Sequence, residues 1–309
     1  MSRPSDRRVL LLVHPRRADA SDLGRAVAER LGRAGVAVVA LEEDLRGSLG
    51  AAQGVSVAHP AHPANGCELV VILGGDGTIL RGAEVSRGSG VPILGVNLGQ
   101  VGFLAEVERH DIGTTVEAIL DRAYGIEERL TLEVTVGVDG DTVFSSWALN
   151  EVTVEKASRE RMIELTIEID GRPLSTWGGD GIVMATPTGS TAYAFSAGGP
   201  VVWPDVEALL LVPISAHALF SRPLVVGPDS HLAVEVVPHT DGIGVVSCDG
   251  RRGADLPPGA RISVQRSPLP VRLVRLTEAP FTDRLVEKFD LPVRGWRGAR
   301  RGAVRPARA

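Results

Sequence analysis

The chain has 309 residues, a net charge of −5 at pH 7 and an apolar fraction of 44%, so it can form two packed domains. Its aromatic content of 4% and the lack of a long basic run before the tail argue against a nucleic-acid surface. Two cysteines, Cys67 and Cys248, are too few for a disulfide framework. No apolar run approaches the roughly 20 residues of a membrane span, and the first residues lack a signal-peptide core. We therefore expect a cytoplasmic protein without membrane contact.

Apolar and helical patterns alternate through the first third of the chain. Ser21 is expected to cap a helix that runs to about Arg33 and ends at Gly35. Residues 44–63 are rich in Gly, Ala and His-Pro and predict a surface excursion. This alternation indicates an α/β domain with a parallel sheet and helices on its faces. Apolar runs that predict its strands lie at residues 9–13, 36–41, 69–73 and 93–96.

The sequence Gly-Gly-Asp-Gly-Thr at residues 74–78 follows one of these runs and leads into a helical segment at 79–85. Glycines let backbone N–H groups close on a ligand, and a helix start favours anionic groups. A polyphosphate could lie against this turn, with Asp76 placed to orient or deprotonate an attacking hydroxyl. The alternative is an ordinary tight turn, since turns select Asp and Gly. The local sequence leaves both interpretations open.

From about residue 131 the pattern changes to alternating apolar and polar residues interrupted by Asp-Gly pairs, which indicates antiparallel β structure. The domain change is placed across a predicted helix at 112–123. Phe281, Leu285 and Phe289 are spaced as one helix face and predict a C-terminal helix that packs back on the first domain. The predicted domains are an α/β domain at 1–110 plus about 277–295, a mainly antiparallel β domain at 111–276, and a disordered tail at 296–309.

Neither a P-loop nor a G-x-G-x-x-G fingerprint is present. The segment 186–200 instead offers six hydroxyl groups that could donate to phosphate and sugar oxygens; the alternative is a loop that caps a helix. Asn150-Glu151 and Asp180 carry groups suited to ribose hydroxyls and base edges, although each alone is more often structural. His59 and His62 have metal-ligand spacing but lie in a Pro/Ala loop without acidic partners, so no metal site is predicted.

Taken together, these elements resemble bacterial NAD kinase, in the same order and with similar spacing from about residue 9 to residue 296. The resemblance implies transfer of the terminal phosphoryl group of ATP, or of polyphosphate in some members, to the 2′-hydroxyl of the adenosine ribose of NAD, giving NADP. It also implies Mg²⁺ on the donor phosphates and a homo-oligomer, either a dimer or a tetramer. The motifs that carry it lie at residues 74–78, 95–104, 150–151, 180–181, 186–200, 221–225 and 281–289.

The resemblance assigns roles to individual residues. Asp76 would be the general base on the acceptor hydroxyl, with Gly77 beside it, and Arg81 and Arg161 would neutralise phosphates. Arg161 also fits a solvated surface role in its charged stretch. One departure is Ala218, which stands where many relatives have a serine hydroxyl, and His217 is assigned no catalytic role. The implied dinucleotide-binding residues are Asn150, Glu151, Asp180, Thr191, Ala192, Tyr193, Ala194, Phe195 and Ser196.

Two other functions fit part of the sequence. A lipid kinase would use the same glycine turn and Asp76, but it would leave Asn150-Glu151 and Asp180 without a function and would need an apolar acceptor cleft. A catalytically silent dinucleotide-binding protein would not need Asp76, although a turn also favours Asp.

Overall fold

The computed structural model describes residues 7–50, 52–99, 102–108, 111–158, 161–238, 243–277 and 280–293; the tail predicted at 296–309 lies outside them. The chain divides into two compact units. The chain passes from one unit to the other within α3 (Asp76–Ser86), β5 (Ile93–Asn97), β7 (Gly125–Arg129) and β20 (Val271–Arg275). The domain boundaries near residues 110 and 277 stay a prediction. The first unit comprises Met1–Ile79, Leu94–Gly125 and Val274–Ala309, and the second comprises Leu80–Ile93 and Ile126–Leu273.

The first unit is an α/β structure with a parallel sheet, as predicted. Its strands follow the order β3 (Val55–Val57), β2 (Ala37–Ala40), β1 (Arg8–Val13), β4 (Leu69–Leu73) and β5. The residues of β4 and β5 are buried along their whole length, because helices cover both faces of such a sheet. Its further elements are α1 (Ala18–Arg33), α2 (Glu42–Arg46), β6 (Val107–Glu108), α4 (Ile112–Asp121) and α6 (Phe281–Phe289).

Two sequence-based expectations for this unit are wrong. Helix α1 begins three residues before Ser21, which therefore lies inside the helix and donates its hydroxyl to Arg17 O at 3.3 Å. The segment 44–63 is only partly a surface excursion, because it contains β3 and buries Asp44 and Leu49. The low apolar content of this segment does not predict such packing, because a single leucine, Leu49, fills the space beside Gly24 of α1.

Helix α6 has the predicted bounds and packs within the first unit. The Phe103 ring lies 5.9 Å, centroid to centroid, from the rings of both Phe281 and Phe289. Arg284, also on α6, places Nη2 2.6 Å from Glu106 Oε2, and the Glu106 side chain is only 1% exposed. Burial opposes ionisation of Glu106, but Arg275, the Thr277 N–H and Arg284 outweigh it and hold its pKa below the usual value. A buried charge network therefore anchors the C-terminal segment.

We expect Glu106→Gln to lower the free energy of unfolding by about 3 kcal/mol at pH 7, because two partly buried guanidinium groups lose their counter-charge. The pKa of Glu106 is lower in the folded state, so its stabilisation is full above the ordinary value of 4.5 and disappears as the pH falls through the folded-state value. Urea unfolding should show the two proteins converging in acid. Glu207→Gln, in an exposed pair with Arg266, is the control, and an equal loss there would contradict the prediction.

The second unit is built from antiparallel strands in two sheets, with orders β15-β14-β13-β10-β17-β18 and β12-β11-β16-β19-β8-β9. Side chains from both sheets form one apolar core, which includes Val152, Met184, Leu165 and Val234. Its elements are β8 (Leu132–Val138), β9 (Asp141–Ala148), β10 (Glu151–Lys156), β11 (Ile163–Ile169), β12 (Arg172–Gly179), β13 (Gly181–Ala185), α5 (Tyr193–Ser196), β14 (Leu209–Ile214), β15 (Leu224–Val226), β16 (Leu232–Val236), β17 (Gly244–Cys248), β18 (Arg252–Leu256) and β19 (Arg261–Arg266).

Three hairpins of the second unit turn at the predicted Asp-Gly pairs. The aspartates Asp139, Asp170 and Asp249 each have a φ of 53°, and the glycine that follows each of them also has a positive φ. Two successive positive φ angles match the twist of a two-residue hairpin, and Asp and Gly tolerate them best. The antiparallel prediction is thus confirmed. Along the described residues, no helix has the length and apolar character needed to cross a bilayer.

Candidate active site

Asp76 is the first residue of α3, so the helix begins earlier than the start predicted beyond Thr78. The helix can begin this early because the N–H groups of Thr78 and Ile79 donate to Gly75 O at 2.9 and 3.1 Å. Gly74 permits the tight approach, since a Cβ there would lie 2.4 Å from Thr78 Oγ1. The carboxylate therefore belongs to the first helical turn, where it also interacts favourably with the helix dipole.

The Asp76 carboxylate is held by the backbone of the segment 102–104. Phe103 N donates to Oδ2 at 3.2 Å, and Leu104 N donates to Oδ1 at 3.1 Å. Gly102 is required beside them, because a Cβ on that residue would lie 2.4 Å from Asp76 Oδ1. Two amides fix the orientation of the carboxylate and leave lone pairs for a further donor. This arrangement suits a group that must accept a proton from a precisely placed hydroxyl.

The glycine turn leaves its backbone accessible. Gly77 is exposed, and at both Gly75 and Gly77 an added Cβ would meet no heavy atom within 4 Å. Bare main chain at a helix start can donate N–H groups to phosphate oxygens. Arg81 is half-buried one turn further along α3, and Arg161 is exposed in the segment before β11.

In the second unit, Asn150 and Glu151 lie buried at the start of β10. Residues 149, 150 and 151 direct their N–H groups at the Asp249 carboxylate, and the shortest of these hydrogen bonds, from Asn150 N, is 2.7 Å. Asp249 belongs to the turn between β17 and β18, which sequence analysis interpreted only as a hairpin. No local signal identifies this contact, because 99 residues separate the two partners.

Burial raises the pKa of Glu151 to about 8, the charge of Asp249 adds to the effect, and the Tyr193 N–H opposes it. Burial also raises the pKa of Asp249. Of the two carboxyls, Asp249 keeps the negative charge, because it has several amide donors and an ion pair with Arg252 at 2.8 Å. Glu151 has a single amide donor at 3.3 Å and holds the proton at neutral pH. A protonated Glu151 can donate as well as accept a hydrogen bond.

Three hydroxyl groups of the hydroxyl-rich segment donate to backbone carbonyls of the protein itself. Thr186 Oγ1 donates to Leu149 O at 2.6 Å, Ser190 Oγ to Val202 O, and Thr191 Oγ1 to Thr188 O. These hydroxyls use their protons to shape a short 3-10 turn, Thr188–Thr191. A Cβ on Gly189 would lie 2.0 Å from Asn150 O, so the turn rests directly on the Asn150 backbone.

Helix α5 then presents Tyr193 and Phe195 on the surface, at 36% and 40% exposure, while Ala194 packs into an apolar cluster with Val183 and Leu210. The hydroxyl of Tyr193 donates to Glu155 Oε1 at 2.8 Å, and burial together with this bond raises the Tyr193 pKa to about 12. Ala192 is half-buried and Ser196 is exposed.

Asp180 lies between β12 and β13 and pairs with Lys156 of β10 at 2.5 Å, which lowers the pKa of Asp180. Glycines make this close packing possible, because a Cβ on Gly181 would lie 2.3 Å from Val154 O. Asn150, Glu151 and the Asp180 carboxylate thus lie along β10. The Tyr193 N–H donates to the Glu151 carboxyl on the same strand. Lys156 was not singled out from the sequence.

The family models that match the chain are those of phosphotransferases that act on an alcohol group. Residues 9–124 match the ATP-NAD kinase N-terminal domain, and residues 149–276 match the ATP-NAD kinase C-terminal domain. The chain therefore belongs to the ATP-NAD kinase family, and the resemblance stated from its motifs is confirmed.

Similar proteins agree with this assignment along nearly the whole chain. NAD kinase 2 of Streptomyces coelicolor is 59% identical over 295 residues, covering 95% of this chain and 97% of that protein. NAD kinase of Leifsonia xyli is 58% identical over 298 residues, covering 95% and 98%. Relatives of such similarity share one fold over both units.

Two solved structures have the same architecture. Yeast NADH kinase, complexed with NADH, superposes with a TM-score of 0.84 at 26% identity, covering 93% of this chain and 88% of that one. An NAD kinase from Archaeoglobus fulgidus, in complex with ATP, gives a TM-score of 0.70 at 25% identity, covering 92% and 99%. They confirm the predicted fold class, a parallel α/β domain followed by antiparallel β structure.

Proposed function

We propose that this protein is an NAD kinase, which transfers the terminal phosphoryl group of ATP to the 2′-hydroxyl of the adenosine ribose of NAD. The observation that carries the proposal is the Asp76 carboxylate, held by two amides at the start of α3 beside an open glycine turn. This geometry occurs in a chain whose family and relatives are NAD kinases. A lipid kinase would leave the polar groups along β10 unexplained.

In the proposed reaction, Asp76 accepts the proton of the acceptor hydroxyl as that oxygen attacks the terminal phosphorus of ATP, and the bond from this phosphorus to the bridging oxygen breaks to release ADP. Phosphoryl transfer passes through a loose transition state, so positioning and charge neutralisation dominate its catalysis. The bare turn at Gly75 and Gly77 would donate N–H groups to phosphate oxygens, and Arg81 and Arg161 would supply positive charge. The dinucleotide-binding role is proposed for Asn150, Glu151, Asp180, Thr191, Ala192, Tyr193, Ala194, Phe195 and Ser196.

We further propose that Mg²⁺ arrives with the donor as part of the substrate. Mg²⁺ in kinases is held chiefly by substrate phosphates and waters, with one or two carboxylates. Within the described ranges, no group of three His, Cys, Asp or Glu side chains could hold a metal ion. Donor phosphates would therefore supply most of its ligands. A homo-oligomeric state, a cytoplasmic location and the use of polyphosphate stay predictions.

Incubation of the purified protein with NAD, ATP and Mg²⁺ tests the proposal. We expect NADP, detected with an NADP-specific dehydrogenase, and no phosphorylated diacylglycerol or sphingoid base in parallel reactions. Replacing ATP by inorganic polyphosphate in a third reaction determines the donor range. Lipid phosphorylation without NADP would establish the lipid kinase instead, and binding of NAD without turnover would establish a silent binding protein.

A further inference from the structure

The turn between β17 and β18 contains a buried charge that the proposed reaction does not use. The Asp249 side chain is 1% exposed and forms an ion pair with Arg252 at 2.8 Å. Burying a carboxylate is costly unless hydrogen bonds and an opposite charge compensate it. Most of the compensating hydrogen bonds come from the backbone at residues 149–151, which carries Asn150 and Glu151.

Three consecutive N–H groups converge on this carboxylate. Leu149 N donates to Oδ2 at 2.9 Å, Asn150 N to Oδ1 at 2.7 Å, and Glu151 N to Oδ1 at 3.3 Å. Asp249 N in turn donates to Glu151 O at 2.9 Å, so the turn and the start of β10 are joined from both sides. Hydrogen bonds to an ionised carboxylate are about twice as strong as neutral ones. The backbone that carries the Asn150 and Glu151 side chains is therefore tied to Asp249.

The turn geometry makes Asp249 suitable for this task. Its φ of 53° belongs to a two-residue hairpin that also occurs at Asp139 and Asp170, so the conformation itself needs no contact with residues 149–151. Arg252, three residues on, pairs with Asp249 and stacks on Trp147, with its guanidinium carbon 4.4 Å from the ring centroid. Arg252 thus holds the carboxylate within its own hairpin, independently of the three N–H groups of residues 149–151.

We infer that Asp249 is a positioning residue for the acceptor dinucleotide. Its carboxylate accepts hydrogen bonds from three backbone N–H groups and through them orients Asn150 and Glu151. The inference rests on the proposed NAD kinase function and adds to it a residue outside the glycine turn and the hydroxyl-rich segment. It predicts an effect on NAD binding and none on the phosphoryl donor, because the hydrogen bonds of the Asp249 carboxylate go to the backbone at residues 149–151, which is proposed to hold the dinucleotide, and to Arg252.

Asp249→Asn tests the inference with little change of shape. We expect the dissociation constant for NAD to rise at least tenfold, because one amide-accepting oxygen and the charge are lost, while KM for ATP stays within about twofold. Hydrogen exchange at the amides of residues 149–151 should accelerate in the same variant. Asp139→Asn, in the same kind of turn, is the matched control and should leave NAD affinity and exchange unchanged.

A pH profile distinguishes positioning from a general structural role. The titratable groups that face Glu151 are Asp249, from the β17–β18 turn, and Tyr193, from α5. NAD affinity of the native protein should change with a midpoint near pH 8, the pKa of Glu151. Removing the negative charge of Asp249 makes ionisation of Glu151 easier, so the midpoint should move to lower pH in Asp249→Asn.

Unchanged NAD affinity with an unchanged midpoint in folded Asp249→Asn would overturn the inference and leave the NAD kinase proposal intact. Failure of the native protein to bind NAD would overturn both. If Asp249→Asn shows no cooperative unfolding transition, Arg252→Gln replaces it, because that change keeps the Asp249 carboxylate and removes its ion pair, together with the Arg252 contacts to Glu84 and Trp147. We then expect NAD affinity to fall about three- to tenfold with KM for ATP unchanged, and full affinity in that variant would equally refute the role of Asp249.

Discussion

Asp76→Asn is expected to lower kcat by about 10²–10⁴-fold while the dissociation constant for NAD changes by less than about twofold. The amide retains one oxygen to accept an N–H from residues 103 or 104, so the start of α3 should persist. What disappears is the capacity to take the proton from the acceptor hydroxyl. Single-turnover kinetics together with calorimetric NAD titration separate the two quantities.

Asp22→Asn provides the matched control, because Asp22 lies on the same unit with its side chain 76% exposed and should show native kinetics. A parallel fall of NAD affinity and rate in Asp76→Asn would show that the carboxylate shapes the turn and does not act on the proton. Retention of most of the native rate would remove Asp76 from the reaction altogether.

Gly189→Ala should destabilise the second unit by about 3 kcal/mol and weaken NAD binding at the same time. The new Cβ would lie 2.0 Å from Asn150 O and 2.4 Å from Asn150 C, and neither backbone atom can rotate away as a side chain could. Overpacking of this kind costs about 1–3 kcal/mol, and a clash with main chain belongs at the upper end. Because Thr186 N also donates to Asn150 O at 2.9 Å, relief of the clash must displace the residue proposed to hold the dinucleotide.

Urea unfolding and NAD titration measure the two effects, with Gly227→Ala as the control. Gly227 has an ordinary φ, and an added Cβ there would meet no heavy atom within 4 Å, so that variant should keep native stability and affinity. Native behaviour of Gly189→Ala would show that the 3-10 turn can move off Asn150 without consequence, and it would weaken the proposed role of this contact.

Much of the fold could be predicted because its signals are local. The uninterrupted apolar runs at 69–73 and 93–96 are typical of strands buried on both faces, and they form β4 and β5. Asp-Gly pairs mark the hairpins because few other residues tolerate two positive φ angles. The start of α3 was predicted too late, since it depends on how closely Gly74 can approach Thr78, and that distance is a property of the folded chain.

The candidate site also has parts that the sequence reveals and parts that only the folded chain shows. The sequence by itself determined the family, the glycine turn with its carboxylate, and the polar residues at 150, 151 and 180, because each carries its own chemical character. Only the tertiary structure decided which of them have partners. It directs the hydroxyls of Thr186 and Ser190 inward, pairs Asp180 with Lys156, and brings Asp249 to amides 98 to 100 residues away along the chain. Such contacts form by packing between distant strands, and no pattern of neighbouring residues encodes them.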